Sequence, residues 1–418
     1  MSVTAAPERS TGIGDPVPDG PKASSPDRHA TPILIYAPGL GQYPANTADG
    51  VAEVIAAVLD RDELGKKFAC VRDAAMTAPA GLKLGKTIID DHGRETLHVF
   101  ELDYKGRLDW PASRTGAPTS PGALLSSIYA VRGFSMLLCA TRRGAKSRMA
   151  KLQLILGFAV VGILIFAATI AVLSSLATAD VPLPSVIRSR FDGEARVWAL
   201  ATTSGVMATW AAARRKLLGI ASTARQNIRY LDDERYRDTI AMTIDEAVNG
   251  LRDNGWHGDI HLLGYSFGSL VVLDSLFPKH SSGRSRDTMR SVRSVTTIGC
   301  PVDAVRLVRP DYLDHRDARV DQIPWHNIFI PADVFGSNFM DGDDAAAQSN
   351  VHIGGVIPSS SQYLDERLDV WQILKVKGLR THGGYWGDKD EASCFDQLVG
   401  KWSAVRQPQV RARGAVAR

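Results

Sequence analysis

Cysteine is scarce in this chain. Cys70, Cys139, Cys300 and Cys394 are its four, and no two form a C-x-x-C pair. That argues against a thiolate zinc site and against a disulfide framework. Reduced thiols in a cytosolic domain are the expectation. A charge excess is also missing. A net charge of +4 is small for 418 residues, so neither a nucleic-acid partner nor a strongly acidic one is expected. The N-terminus lacks a basic segment followed by an apolar one, and no cleaved signal peptide is expected. No internal repeat is visible. No motif calls for a metal or a cofactor.

The apolar content is ample: 44% of residues are hydrophobic and 22% charged, enough for a sizeable core. The length exceeds one average domain, though a decorated α/β domain accommodates most of it. Residues 1–30 are rich in Pro, Ser, Gly, Ala and Asp without apolar periodicity and read as a disordered tail. Order is expected from the buried strand Ile33–Ala37. A Pro38-Gly39-Leu40-Gly41 loop follows. A helix is predicted from about Thr47 to Leu59, with Val51, Val54, Ile55 and Val58 on one face. Residues 68–104 read as strands and turns, most clearly Leu97–Leu102. This is a β-α-β start, and residues 31–110 form the first part of an α/β domain.

Residues 111–231 interrupt that alternation. Leu124–Ala140 is an apolar run whose spacing fits a surface helix as well as a membrane-associated segment. Arg142, Arg143, Lys146, Arg148 and Lys151 form a basic cluster. Then Leu152–Ala179 runs for 28 residues without a charge, where a bilayer-spanning helix needs about 20. A second run, Val197–Ala213, is 17 residues long. Trp198 and Trp210 sit near its ends, where interfacial aromatics are favoured, and Arg214, Arg215 and Lys216 follow. Transmembrane helices are therefore expected at about 152–177 and 196–213. Both basic flanks fall on one side of such a hairpin. The positive-inside rule makes that side cytoplasmic and puts residues 180–196 outside.

Soluble α/β texture resumes at residue 232 and runs to 402, before a basic tail at 403–418. Asp232–Asn254 reads as a helix with Ile240, Ile244, Val248 and Leu251 in one stripe. A short apolar strand at 259–263 then leads into Gly264-Tyr265-Ser266-Phe267-Gly268, and a buried helix follows up to Pro278. Strand, sharp turn and helix around G-x-S-x-G is the context of a nucleophile elbow. Ser266 is the expected nucleophile. Strands are predicted at Ser291–Ile298, Asn327–Ile330 and Trp371–Val376, and a closing helix at Asp388–Trp402.

A serine hydroxyl needs a base, and the base needs an acid to fix its tautomer. Serine elbows of this kind take their partners in the chain order serine, acid, histidine. Asp303, Asp333, Asp341, Asp343 and Asp344 follow the elbow. Asp333 alone sits just past a strongly apolar strand with a turn behind it. Asp303 comes one strand early, and the 341–344 cluster reads as a solvated loop. His352 and His382 lie beyond Asp333. His382 follows the predicted strand 371–376 and is flanked by Gly383-Gly384, so it is the expected base. The oxyanion donors are expected to be the main-chain N–H groups of Phe267 and of Leu40, in the glycine-flanked loop after the first strand.

Together, Pro38-Gly39-Leu40-Gly41, Gly264–Gly268, Gly299-Cys300-Pro301, Asn327…Asp333 and His382-Gly383-Gly384-Tyr385-Trp386 resemble the α/β-hydrolase superfamily, especially its lipase- and esterase-like members. Two departures stand out. Pro38 replaces a histidine common at the oxyanion loop, and Cys300 replaces the serine of a Gly-Ser-Pro turn. The resemblance covers 31–110 and 232–402 and leaves out the membrane insertion. It implies a mostly parallel central sheet with helices on both faces and cleavage of an ester, thioester or amide through an acyl-enzyme. With the hairpin, it leads to the expectation of a serine hydrolase in the inner membrane. Its catalytic domain would face the cytoplasm and act on a lipid or small acyl ester. Fold does not choose substrate. A non-catalytic or acyltransferase module serving as a membrane effector is the alternative.

Overall fold

A computed structural model describes residues 30–40, 47–62, 66–72, 77–108, 226–279, 286–320, 322–333, 335–340, 349, 351–364, 381–387 and 393–405. The architecture is α/β, with a mixed, mostly parallel eight-stranded sheet. In chain order the elements are β1 (Ile33–Ala37), α1 (Ala48–Asp62), β2 (Phe68–Val71), β3 (Leu82–Asp90), β4 (Glu95–Leu102) and α2 (Lys105–Leu108). Then come α3 (Glu234–Asp253), β5 (Ile260–Tyr265), α4 (Phe267–Leu276), β6 (Val292–Ile298), α5 (Val302–Val308), β7 (Trp325–Phe329), β8 (Ser359–Gln362) and α6 (Cys394–Val405). A further helical stretch occupies 226–232.

The strand order is β2-β3-β4-β1-β5-β6-β7-β8. Strands β4 through β8 run parallel, and β2 and β3 add antiparallel pairs at one edge. Strand β1 shows why the centre is apolar throughout. Ile33, Ile35 and Ala37 pack into the core on one face, with α3 and α4. Leu34 and Tyr36 pack on the opposite face, with α1 and α6. A strand covered on both faces reads as a continuous apolar run, because alternate side chains all meet protein. Helix α3 shows the complementary pattern. Ile240, Ile244, Ala247, Val248 and Leu251 are buried on one stripe, and Asp233 caps its start by accepting from the Tyr236 N–H at 3.0 Å.

The chain leaves β1 toward β4 on one side and leaves β5 toward β6 on the other. The loops after β1 and β5 therefore diverge at the carboxyl ends of adjacent strands. That crevice is where open α/β sheets bind ligands.

Several boundaries differ from the sequence reading. The closing helix begins at Cys394, later than 388, and β7 begins two residues and ends one residue earlier than predicted. Strand β8, Ser359-Ser360-Ser361-Gln362, carries no apolar pattern and was not predicted; it is a short edge strand. The predicted strand 371–376, residues 1–29 and 406–418 of the predicted tails and the two predicted transmembrane segments, 152–177 and 196–213, lie outside the described residues, while α6 runs on to Val405, into the predicted C-terminal tail. Among the described residues no helix is long and apolar enough to cross a membrane.

Candidate active site

Three expected residues meet at the carboxyl end of the sheet. Ser266 follows β5 directly, with φ 53° and ψ −123°. A positive φ is uncommon for serine, and such strain costs roughly 1–3 kcal/mol. Its neighbours hold it there. The Ser266 N–H donates to the Ile298 carbonyl at 2.8 Å, and the Ser269 N–H donates to the Ser266 carbonyl at 3.0 Å. Glycine is required on either side. A Cβ on Gly264 would lie 2.5 Å from the Ser269 Cα, and one on Gly268 would lie 2.0 Å from the Ala37 carbonyl oxygen. The motif thus lets the elbow pack onto both its own helix and the end of β1.

His382 Nε2 lies 2.8 Å from Ser266 Oγ, and its Nδ1 lies 2.8 Å and 3.0 Å from the two carboxylate oxygens of Asp333. With the Nδ1 proton directed at the carboxylate, Nε2 is the acceptor facing the serine hydroxyl. Asp333 is fully buried, which is tolerable only because other donors also reach it. The Tyr385 hydroxyl donates at 2.7 Å and the Phe335 N–H at 2.9 Å. Burial, reinforced by the adjacent Asp333 charge, pushes the Tyr385 phenol well above its usual range. It stays a neutral donor. Gly299 and Gly336 make room for this group. Added Cβ atoms there would approach Tyr385 or the Asp333 carboxylate to within 2.9 and 2.7 Å, respectively.

The imidazole is also held from its flanks. Tyr265 stacks on it at 5.4 Å between centroids, and its hydroxyl donates to the His382 carbonyl. Phe335 meets it edge-on at 5.2 Å.

Leu40 and Phe267 both line the cavity at Ser266. Gly39 brings the first loop close: a Cβ there would lie 3.0 Å from Ser266 Cβ. Among the described residues neither the Leu40 nor the Phe267 N–H has a hydrogen-bond acceptor. Phe267 is also the first residue of α4, so the positive end of a helix dipole points at the same spot. Tyr104 was missed in the sequence. It is fully buried, donates its hydroxyl to the Pro38 carbonyl, and stacks on Phe267 at 6.2 Å. It therefore links the loop carrying Leu40 to the residue carrying the second N–H. Tyr104 fastens this loop from the side of β4.

The cavity is about 330 Å³ and is walled by Leu231, Leu270, Ala304 and Val305 among others. That size suits a small ligand, and apolar walls with a few convergent polar groups are usual for such sites. Asp303 lies in the first turn of α5. Its carboxyl is raised above the ordinary carboxylate range by burial, against Arg306 and a Ser337 hydrogen bond that both lower it. His352 makes no recorded contact with Ser266. Among the described residues no cluster of His, Cys, Asp and Glu could hold a metal ion. No family model, curated protein or solved structure matches this chain.

Proposed function

We propose that this chain is a serine hydrolase of the α/β-hydrolase type that cleaves an acyl ester through an acyl-enzyme. The observation that carries this reading is the hydrogen-bonded series Ser266–His382–Asp333 on a positive-φ elbow, with two acceptor-free N–H groups beside it. In this reading Ser266 Oγ attacks the acyl carbonyl as His382 Nε2 takes its proton. The oxyanion settles between the N–H groups of Leu40 and Phe267. His382 returns the proton to the leaving alcohol, and Asp333 stabilises the imidazolium. Water then repeats the sequence on the acyl-enzyme and regenerates Ser266.

The anchor, the inner-membrane location and the cytoplasmic orientation belong to the same proposal and rest on the uncharged run at 152–177, the run at 196–213 and their basic flanks. A membrane location would hold the site near lipid and acyl-lipid esters.

The test is turnover of 4-nitrophenyl octanoate by the purified full chain. Ser266→Ala and His382→Ala are expected to lower kcat/KM at least about 10³-fold. Equal turnover by wild type and Ser266→Ala would remove the proposal.

A further inference from the structure

Among the described residues, one polar side chain at the cavity by Ser266 has no protein hydrogen-bond partner. Asn227 lines it, and its amide makes no hydrogen bond in the described structure. A carboxamide offers two donors and an acceptor, and the half-buried Asn227 amide at the cavity wall has them available for an entering group. The other polar groups there are committed. Ser266 and His382 bond each other, and Tyr265 bonds the His382 carbonyl.

Asn227 is also held in place. It lies in the helical stretch 226–232, one turn before Leu231, so both face the same side. The fully buried Tyr230 anchors this stretch. Its hydroxyl donates to the Asp274 carboxylate on α4, and its ring meets Phe267 at 4.8 Å. Asp232 pairs with Arg309 just after α5. Two elements of the catalytic face, α4 and the end of α5, thus fix the backbone that carries the amide. Among the described residues, no Asp, Glu, Lys or Arg lines the cavity. A charged group entering it would lose hydration without a partner.

We propose that Asn227 selects the substrate: an uncharged ester with an apolar chain and one neutral hydrogen-bonding oxygen, such as an ether, hydroxyl or second carbonyl, which the Asn227 amide binds. This rests on the serine-hydrolase reading above and narrows it. The residue falls in the last part of the segment that separates the two halves of the α/β domain in sequence. That segment therefore supplies the substrate-selecting wall as well as the connection.

The experiment compares kcat/KM for ethyl octanoate with kcat/KM for a matched series. Two members replace one methylene of the acyl chain by an ether oxygen, near the ester or near the chain end. A third, octanoyl glycerol, carries hydroxyls on the alcohol side. Intrinsic reactivity cancels when each ratio is compared between wild type and Asn227→Leu. At least one oxygen-bearing ester should be favoured about 3- to 10-fold more by wild type than by the variant. Asn227→Ala removes the amide without added bulk and should show the same collapse. Ratios unchanged across the series in both variants overturn the proposal. Ser266→Ala, assayed on ethyl octanoate, separates the two readings. Turnover that survives it overturns the hydrolase reading and this inference with it. Turnover lost with unchanged ratios overturns this inference alone.

Discussion

Tyr104 ties together two backbones whose separation sets the oxyanion geometry. Its hydroxyl reaches a carbonyl 66 residues away in sequence, and its ring covers Phe267. Tyr104→Phe keeps the ring and loses only the tether. The expected result is a fall in kcat of about 10-fold with KM little changed, since an N–H donor displaced from the developing charge weakens only the transition state. A variant that lowers stability but leaves kcat alone would make Tyr104 a packing residue. Asp303 provides the contrasting case. Its folded-state pKa is raised, so between the unfolded and folded values the native state binds more protons than the unfolded one. Stability is then lost as pH rises through that window, and the cost persists above it. Asp303→Asn should therefore raise Tm at pH 7–8, with the gain fading below about pH 4, and should leave ester turnover intact. Asp333→Asn should abolish turnover. Ser266, Asp333 and His382 were legible in the sequence because chain order and strand ends restrict the choices. Tyr104 and Tyr230 were not. Each acts through a partner 44 or 66 residues distant, and nothing local distinguishes such a tyrosine from any other core aromatic.

At the scale of elements, the legible pieces are those with a strong apolar period. Strand β1 and helix α3 are buried as their patterns require, on two faces and on one stripe. Strand β8 was illegible because an edge strand of serines and glutamine takes its structure from hydrogen bonds to β7 and not from its own side chains. Residues 226–231 fall within the predicted insertion, yet they belong to a helical stretch in which Tyr230 is fully buried. The junction of β1, β5 and α4 has little room. Gly268→Ala would push a methyl group into the Ala37 carbonyl. Overpacking of this kind costs about 1–3 kcal/mol or more. Gly106→Ala, in open space on α2, should stay within about 0.5 kcal/mol of wild type. Thermal melts followed by circular dichroism compare the two, and equal Tm values would refute the close-approach argument.

Across the whole molecule, the sheet brings together groups that the chain keeps far apart. The loop after β1, the elbow after β5 and the turn after β7 converge because parallel strands all end on the same side. The α/β class was readable from the alternation of strand and helix signals, and the sheet order was not, since a single sequence shows strands without their neighbours. The cavity depends on residues from both sides of the insertion: Leu40 before it, Asn227 and Leu231 at its end. The proposed chemistry requires Ser266 to be an activated nucleophile. The most direct measurement is intact mass and peptide mapping after treatment of the folded full chain with a fluorophosphonate ester. One phosphonyl adduct on Ser266 is expected, formed rapidly by wild type and slowed at least about 10³-fold in His382→Ala. A folded wild-type protein that acquires no adduct at Ser266, or acquires it equally fast without His382, would contradict the account.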